Sequence, residues 1–161
     1  SSLGIVYLPQ EPSIFRNLSV EDNIKSAIEL KDRNKLNLNS KVKKILQDFD
    51  IESIALQKGN ELSGGQRRRV EIARSIALNP KFIMLDEPFA GVDPIAIEDL
   101  KELIKKLSNI GLGILISDHN VKATMDICEE IFIINQGTII SKGSPDEVSN
   151  NELVKKTYLG S

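Results

Sequence analysis

The sequence Leu62-Ser63-Gly64-Gly65-Gln66 is followed directly by a basic and apolar segment at positions 67–74. Ser63 is a favourable helix N-cap, and Gln66 stands three residues later, where a capping box requires it. Because Gly64 and Gly65 have no side chains, a ligand can approach the backbone N–H groups of the first turn. Those N–H groups and the helix dipole favour a phosphate. For Ser63, Gly64 and Gly65 alone, an ordinary helix cap is an equally good interpretation.

A second motif, further along the chain, joins an apolar run to two carboxylates. Residues 82–85 are all apolar, and Asp86-Glu87 follows them. Such a run is typical of a parallel strand covered on both faces, and α/β folds bind ligands at the carboxyl ends of these strands. Phosphoryl transfer requires a carboxylate that holds Mg²⁺ and a group that orients the attacking water. We expect Asp86 to hold the metal and Glu87 to orient the water, although in isolation the pair is also typical of a solvated strand end.

The remaining elements follow from apolar periodicity and turn residues. Asp93 before Pro94 predicts a helix start, and Gln136-Gly137 between two apolar runs predicts a hairpin. The predicted strands are residues 4–8, 82–85, 113–116, 131–135 and 138–141, and the predicted helices begin near Ser19, Ser40, Ser63 and Asp93. This order predicts an α/β core with a helical insertion after its first strand.

Composition and charge restrict the class of protein. The chain has 161 residues, of which 40% are hydrophobic and 27% charged, and its net charge is −2. These values are ordinary for a globular domain and give no general attraction to nucleic acid, so we interpret the three arginines at 67–69 as a solvated helix face. No apolar run approaches the ~20 residues that span a bilayer. Because Cys128 is the only cysteine, no internal disulfide is possible, and we expect a cytoplasmic protein that reaches a membrane only through a partner.

Together, these motifs make the chain resemble the ATP-binding subunits of ABC transporters over residues 4–160. In that family, the motif at residues 62–66 is the signature motif, which binds the γ-phosphate of ATP held by the opposite subunit. The resemblance implies a partial P-loop NTPase (ABC ATPase) core of the α/β class, with a helical signature subdomain and a C-terminal β-hairpin and helices. Residues 10–79 would form the Q-loop and the signature subdomain, and residues 1–9 and 80–161 the rest of the core.

The resemblance also implies roles for single residues in binding ATP and Mg²⁺. Gln10 resembles the Q-loop glutamine, which contacts Mg²⁺ or water and senses the nucleotide. Asp93 lies in a segment similar to the D-loop, which crosses the dimer interface, and His119 resembles the switch histidine that touches the γ-phosphate. Each of the three has a plainer interpretation, as a surface-loop glutamine, a helix cap and a structural histidine. The implied catalytic set is Glu87, His119 and Gln10, the metal set is Asp86 and Gln10, and the nucleotide-binding set is Ser63, Gly64, Gly65, Gln66 and Asp93.

Within the family, the chain most resembles the ATPases that power lipopolysaccharide export. The resemblance lies in residues 7–16, 86–94 and 117–121 and in the tail Tyr158-Leu159-Gly160. It implies a homodimer at the cytoplasmic face of the inner membrane, which drives transmembrane permease subunits without entering the bilayer itself. Those subunits would dock near Phe15, Arg16 and Leu18. Branched-chain amino-acid importers have similar sequences at segment 90–93 and in the tail, and they are the alternative among transporters.

An alternative of another class is the ATPase head of chromosome-organising or DNA-repair proteins, which also carry a signature motif. Those proteins insert long coiled coils between the two halves of the ATP-binding fold. In this chain, the segment from residue 10 to residue 62 is short and contains no sustained heptads. The sequence therefore favours a transporter.

One expected motif is missing from the sequence. No Gly-x-x-x-x-Gly-Lys-[Ser/Thr] occurs, and the segment from Gly59 to Gly64 has the glycine spacing but continues with Gly65 where Lys is required. That Walker A loop holds the β- and γ-phosphates. We therefore expect a fragment that alone neither binds ATP tightly nor hydrolyses it. We also expect its sheet to expose an apolar face, which would lower its stability or promote association with another copy.

Overall fold

The computed structural model describes residues 3–31 and 37–156. It divides the chain into two units, Ser1–Asp118 and His119–Ser161. The tail Tyr158-Leu159-Gly160, one of the segments that carry the resemblance, lies outside the described residues. Among the helices of the described ranges, none combines the length and the apolar character that a bilayer crossing requires.

A three-stranded parallel sheet forms the centre of the first unit. Its strands are β1 (Ile5–Leu8), β2 (Phe82–Asp86) and β3 (Gly113–Ser117), arranged in the order β1-β2-β3. The register pairs Leu8 with Leu85 and Asp86 with Ser117. The three strands therefore end at one edge of the sheet, as the sequence predicted, and the residues that follow them are brought together there.

The two faces of this sheet differ in burial. One face is packed into the core, with Ile83 completely buried and Leu85 only 2% exposed. The cross-strand neighbours Tyr7, Met84 and Leu115 lie on the opposite face and are 56%, 36% and 48% exposed. The prediction that apolar strands would be covered on both faces is therefore wrong for this chain. The expectation of an exposed apolar face is confirmed.

Three helices occupy most of the segment between β1 and β2. They are α1 (Val20–Lys31), α2 (Leu38–Asp48), which begins two residues earlier than predicted, and α3 (Gly64–Ala77). Helix α1 starts as predicted, because the Ser19 hydroxyl accepts the N–H of Asp22 at 3.0 Å. Apolar residues of α1 and α3 share the core, and α3 also packs against β1. The helical insertion predicted after the first strand is thus present.

A buried asparagine organises the loop that precedes α1. The side chain of Asn23 is completely buried. Its Oδ1 accepts the N–H of Phe15 at 2.9 Å, and its Nδ2 donates to the carbonyl oxygens of Phe15 at 3.0 Å and Ser19 at 2.9 Å. These bonds satisfy a polar group that would otherwise be costly to bury, and they fix the course of residues 15–19.

Helix α4 (Pro94–Asn109) completes the first unit and connects β2 to β3. Asp93 caps it, because Oδ1 accepts the N–H of Ala96 at 3.0 Å, and Pro94 occupies the first turn. The apolar residues Leu100, Leu103, Ile104 and Leu107 form its buried stripe. The start of this helix agrees with the sequence analysis.

The second unit is built on a hairpin. Strands β4 (Ile131–Asn135) and β5 (Thr138–Gly143) are antiparallel. They are joined by Gln136 and Gly137, whose φ angles of 47° and 77° suit a tight hairpin turn. Short helices flank the hairpin: α5 (Val121–Met125), α6 (Pro145–Asn150) and α7 (Glu152–Val154). The core of this unit consists of Ile131, Ile133, Val148 and Val154.

Candidate functional site

The carboxylate of Asp86 lies at the end of β2 and is held by the two neighbouring strands. Tyr7 of β1 donates its hydroxyl to Oδ2 at 2.8 Å, and Ser117 of β3 donates its hydroxyl to Oδ1 at 2.6 Å. The bond from Ser117, followed by the bond from Tyr7, lowers the pKa of Asp86 below its ordinary value. The same bond to Asp86 raises the pKa of Tyr7. Asp86 is therefore an ionised acceptor at neutral pH, which is the state that binds a cation.

Glu87 follows Asp86 in an unusual backbone conformation. Its φ is 42°, in the left-handed region that costs free energy for a residue other than glycine. Its N–H donates to the carbonyl oxygen of Ser117 at 2.7 Å. Successive strand residues normally point to opposite faces of a sheet, and this change of direction after Asp86 interrupts that alternation. Positive φ at a residue with a predicted catalytic role is typical of functional sites.

The side chain of Gln10 reaches the same place from the end of β1. Its Nε2 donates to Oε2 of Glu87 at 2.8 Å. Gln10, Asp86 and Glu87 are therefore brought together at the carboxyl edge of the sheet. These are three of the residues to which the sequence assigned catalysis or metal binding.

A buried arginine of α3 ties the backbone segments that carry these residues. Arg68 is only 6% exposed, and its guanidinium donates to the carbonyl oxygens of Pro9 at 2.9 Å and Asp86 at 2.7 Å. It also forms an ion pair with Glu71 at 3.3 Å. The interpretation of residues 67–69 as a solvated face is therefore wrong for Arg68. The available sequence signal was an arginine at a helix position that faces the core, where an apolar residue is usual. Helical periodicity alone did not show that Arg68, rather than either neighbouring arginine, is the buried one.

The same face of α3 also holds the loop after Gln10. Glu71 accepts the N–H of Ser13 at 2.7 Å, and Arg74 donates to the carbonyl oxygen of Ser13 at 2.5 Å. The Arg74 guanidinium lies 4.6 Å from the centre of the Phe15 ring. Burial lowers the pKa of Arg74, although the nearby Glu71 opposes that shift. Helix α3 thus contacts both ends of the loop that runs from Gln10 to Phe15.

The start of α3 has the capping box that the sequence predicted. The N–H of Gln66 donates to Ser63 Oγ at 3.3 Å, and the N–H of Ser63 donates to Gln66 Oε1 at 3.0 Å. The two glycines between them serve packing as well as access for a ligand. A Cβ on Gly64 would lie 2.8 Å from the carbonyl oxygen of Gly91, and a Cβ on Gly65 would lie 2.5 Å from Cβ of Ala96. Both glycines therefore also permit close packing against the loop before α4 and its first turn.

Asp93 shares a cleft with the signature residues. The cleft has a volume of about 280 Å³ and is lined in part by Ser63, Gly65, Gln66, Arg69 and Asp93. Arg69 pairs there with Asp99 at 3.6 Å. Four of the five predicted nucleotide-binding residues, all except Gly64, thus line this cleft, while Gln10, Asp86 and Glu87 lie at the sheet edge.

The other predicted residues lie in two further places. His119 is the first residue of the second unit, where its carbonyl oxygen accepts the N–H of Val121 at 3.0 Å. Its role therefore rests on the sequence. The predicted permease contacts Phe15 and Leu18 are 49% and 38% exposed, and Arg16 between them is also exposed. They lie in the loop that Asn23 organises.

The residues at the sheet edge fit a magnesium ion that is shared with a nucleotide. Within the described residues, no group of three or more His, Cys, Asp or Glu side chains could hold a metal without further ligands. Mg²⁺ typically keeps several waters and takes only one or two protein carboxylates, together with substrate phosphates. The ionised Asp86, with the side chain of Gln10 at the same edge, supplies that kind of partial ligand set.

Comparison with known proteins shows the family of the chain. The family model described as ABC transporter matches residues 1–90. The lipopolysaccharide export system ATP-binding protein LptB of Haemophilus influenzae is 52% identical over 158 residues, and that of Escherichia coli strain K12 is 50% identical over the same length. Each alignment covers 98% of this chain. The chain spans 66% of the length of each of these relatives.

Two solved structures have the same fold. The cbiO1 protein of Clostridium perfringens, part of the ABC transporter complex cbiONQ, matches with a TM-score of 0.83 and 27% identity, over 98% of this chain and 64% of its own. The cassette MJ0796, solved as a dimer in a post-hydrolysis state bound to ADP and Pi, matches with a TM-score of 0.75 and 26% identity, over 88% of this chain and 62% of its own. The family model, together with these relatives, leads to one conclusion: the chain belongs to the ABC transporter family.

Proposed function

We propose that this chain is part of a subunit that hydrolyses ATP, with Mg²⁺, to drive an ABC transporter. The observation that carries the proposal is the meeting of Gln10, Asp86 and Glu87 at the carboxyl edge of the parallel sheet. The capped, glycine-rich start of α3 in the same unit supports it. Phosphoryl transfer requires carboxylates for the metal and the attacking water, and Asp86 and Glu87 supply them. It also requires groups that bind phosphate, and the start of α3 supplies an anion-binding site.

Each residue has a proposed task. The ionised Asp86 holds the cation with the help of Gln10, and the cation, when bound, neutralises charge on the phosphates. Glu87 accepts a hydrogen bond from the attacking water and so orients it toward the γ-phosphate. His119 contacts the same phosphate. Because Gln10 already bonds to Glu87, a single side chain can link the metal site to the water site.

The signature residues act on a second copy of the subunit. The first-turn N–H groups after Ser63, at Gly64 and Gly65, bind the γ-phosphate of ATP held by that copy, and the side chain of Gln66 completes the contact. Asp93, which lines the same cleft, lies at the dimer interface. The dimeric cassette MJ0796, solved with ADP and Pi, supports this arrangement.

The cargo is proposed from the names of the LptB relatives. Both LptB relatives are described as ATP-binding proteins of lipopolysaccharide export. We infer that this chain serves lipopolysaccharide export at the cytoplasmic face of the inner membrane. Its permease subunits dock on Phe15, Arg16 and Leu18, where two exposed apolar side chains flank a cation.

Residues 1–161 alone are proposed to be inactive, because the sequence holds no Gly-x-x-x-x-Gly-Lys-[Ser/Thr] loop. The decisive experiment joins a segment that contains a Walker A loop, Gly-x-x-x-x-Gly-Lys-[Ser/Thr], to residue 1 of this chain. Calorimetric titration with Mg-ATP should show no saturable binding to residues 1–161 and clear binding to the joined protein.

Hydrolysis by the joined protein then tests the role of Glu87. Glu87→Gln should abolish steady-state turnover and retain ATP binding, whereas Glu102→Gln, on the exposed side of α4, should leave turnover unchanged. Turnover by residues 1–161 that disappears in Glu87→Gln would contradict the proposed inactivity. Full turnover in the joined Glu87→Gln variant would contradict the assignment of Glu87.

The cargo requires a separate measurement. Copurification of the joined protein with lipopolysaccharide-export permease subunits, and its loss in Phe15→Asp but not in Leu56→Asp, would support the proposed partner. Leu56 is a suitable control because it is 83% exposed. Selective copurification with an amino-acid importer permease would support the other transporter class instead.

A further inference from the structure

Two hydroxyl groups hold the Asp86 carboxylate from opposite sides. Tyr7 contacts Oδ2 from β1, and Ser117 contacts Oδ1 from β3, at 2.8 Å and 2.6 Å. Asp86 belongs to the central strand of the three, so each neighbouring strand supplies one donor. Both residues lie at the start of segments that carry the family resemblance, but no function was assigned to either hydroxyl there.

The geometry explains how both bonds arise. Ser117 pairs with Asp86 in the register of β2 and β3, which places its hydroxyl beside the carboxylate. Tyr7 pairs with Met84, two residues before Asp86, and only a side chain as long as tyrosine reaches diagonally along the strand to the carboxylate. A phenylalanine at position 7 would keep the ring on the exposed sheet face and lose only the donor.

The two bonds leave room for a cation. A carboxylate has about four lone-pair sites, and the two hydroxyl groups occupy one on each oxygen. The remaining sites are held in a fixed direction, because rotation of the carboxylate would break both bonds. Groups that orient a metal-binding carboxylate in this way typically change metal affinity when they are removed.

We propose that Tyr7 and Ser117 are positioning residues that fix the Asp86 carboxylate for the divalent cation. This inference rests on the proposed function of Asp86 as a metal ligand. Neither hydroxyl contacts a nucleotide in the proposal, and both act only through Asp86. Removing either should weaken cation binding without removing it, and removing both should approach the effect of losing the carboxylate.

The experiment measures cation binding directly rather than turnover. Asp86 and Gln10 supply only part of a ligand set, so the chain without nucleotide should bind the ion weakly. Mn²⁺ is therefore titrated to saturation into the ¹⁵N-labelled chain, and paramagnetic broadening of the Asp86 and Glu87 amide signals gives an affinity for the site. Tyr7→Phe and Ser117→Ala should each weaken that affinity by about 10-fold, the lower end of what orienting groups contribute. The matched controls are Tyr158→Phe, which changes the only other tyrosine, and Ser108→Ala on an exposed part of α4.

The outcomes separate the inference from the proposed function. Broadening that is lost in Asp86→Asn but unchanged in Tyr7→Phe and Ser117→Ala would overturn the positioning role and leave the metal role of Asp86 intact. Broadening that survives Asp86→Asn, or is absent from the parent chain, would overturn both. Equal losses in the control variants would also overturn the inference, because they would show a nonspecific effect. Far-ultraviolet circular dichroism checks that each variant is folded.

Discussion

Gln10 donates a hydrogen bond from Nε2 to Oε2 of Glu87 over 2.8 Å, although the two residues lie 77 positions apart in the chain. Each follows a different strand of the parallel sheet, and the common carboxyl edge brings them together. The bond means that a change at Gln10 acts directly on the carboxylate to which we assign the attacking water. A charge introduced at position 10 would therefore lie directly beside the carboxylate of Glu87.

Gln10→Glu would place a second carboxylate beside Glu87. Because like charges repel, the variant loses folding stability wherever both carboxylates are ionised. The penalty is therefore present at neutral pH and disappears as the pH falls below about 4 and both groups are protonated. We expect Gln10→Glu to be about 0.5–1 kcal/mol less stable than Gln10→Ala at pH 7, in keeping with exposed charge pairs. Urea unfolding at pH 7 and pH 3.5 checks this, and an equal difference at both pH values would contradict it.

Arg68 carries a larger part of the stability of the first unit. Arg68→Ala would leave the carboxylate of Glu71 and the carbonyl oxygens of Pro9 and Asp86 without their donor in a buried place. Loss of one partner of a buried ion pair typically costs about 3–5 kcal/mol. Arg67→Ala is the control, since Arg67 is less buried and its side chain donates to the carbonyl oxygen of Leu62 at 3.3 Å.

The double variant Arg68→Met/Glu71→Leu tests the physical reason for that loss. If the cost arises from an uncompensated buried charge, removing both charges should be less destabilising than removing Arg68 alone. Denaturant unfolding of the single and double variants measures the difference. A double variant that is as unstable as the sum of the two single variants would show that the ion pair itself contributes little to the loss.

The close approach of α3 to α4 predicts a steric effect at Gly65. Gly65→Ala would bring a Cβ to 2.5 Å from Cβ of Ala96, which no ordinary contact allows. Such overpacking typically costs about 1–3 kcal/mol. Ala96→Gly should restore most of the lost stability in the double variant, because it removes the atom in the way. A double variant no more stable than Gly65→Ala, in thermal unfolding, would show that the Ala96 contact is not the cause.

The hydrogen bonds to Asp86 predict a pH dependence of stability. They lower the folded-state pKa of Asp86 below its ordinary value of 3.8. The stability they contribute is therefore complete above that ordinary value and is lost as the pH falls through the folded-state pKa. Asp86→Asn should consequently make the unfolding free energy less dependent on pH below about 4, while the profile from pH 6 to 8 keeps its shape. Urea unfolding between pH 2 and pH 8 measures the unfolding free energy over both pH ranges. An unchanged pH dependence in the acid range would contradict the prediction.

The sequence predicted the fold and most of the candidate site because local signals and long motifs agreed. The caps at Ser63 and Asp93 and the hairpin turn at Gln136 depend on neighbouring residues, so they could be recognised without tertiary contacts. The continuous apolar runs predicted parallel strands, whose common carboxyl edge brings Gln10 to Glu87. None of these inferences needed the distance between two remote side chains.

The missed residues depend on tertiary contacts. Arg68 has the same residue type as its two neighbours, and only the position of α3 on the sheet makes it buried. Tyr7 was taken as part of an apolar strand, because its diagonal reach to Asp86 follows from strand register rather than from its sequence neighbours. The contact of Gly65 with Ala96 likewise joins two helices that are far apart in the chain. Residue type gave no means of distinguishing these three positions.

The exposed sheet face predicts self-association of the chain. Tyr7, Met84 and Leu115 are cross-strand neighbours on this face, and together they form an apolar patch on a sheet whose outer strands are β1 and β3. Apolar sheet surface of this kind promotes association. Met84→Glu should therefore shift the chain toward a monomer in sedimentation velocity, with little effect on the unfolding midpoint, because the side chain is already 36% exposed.

The matched control is Ile95→Glu, which changes a single apolar side chain that is 79% exposed at the start of α4. If the sheet face drives association, this variant should sediment like the parent chain at every concentration. Equal effects of Met84→Glu and Ile95→Glu would instead attribute the change to added negative charge. A parent chain that is monomeric at concentrations up to hundreds of micromolar would contradict the expectation, since the exposed face would then be stable in water without a cover.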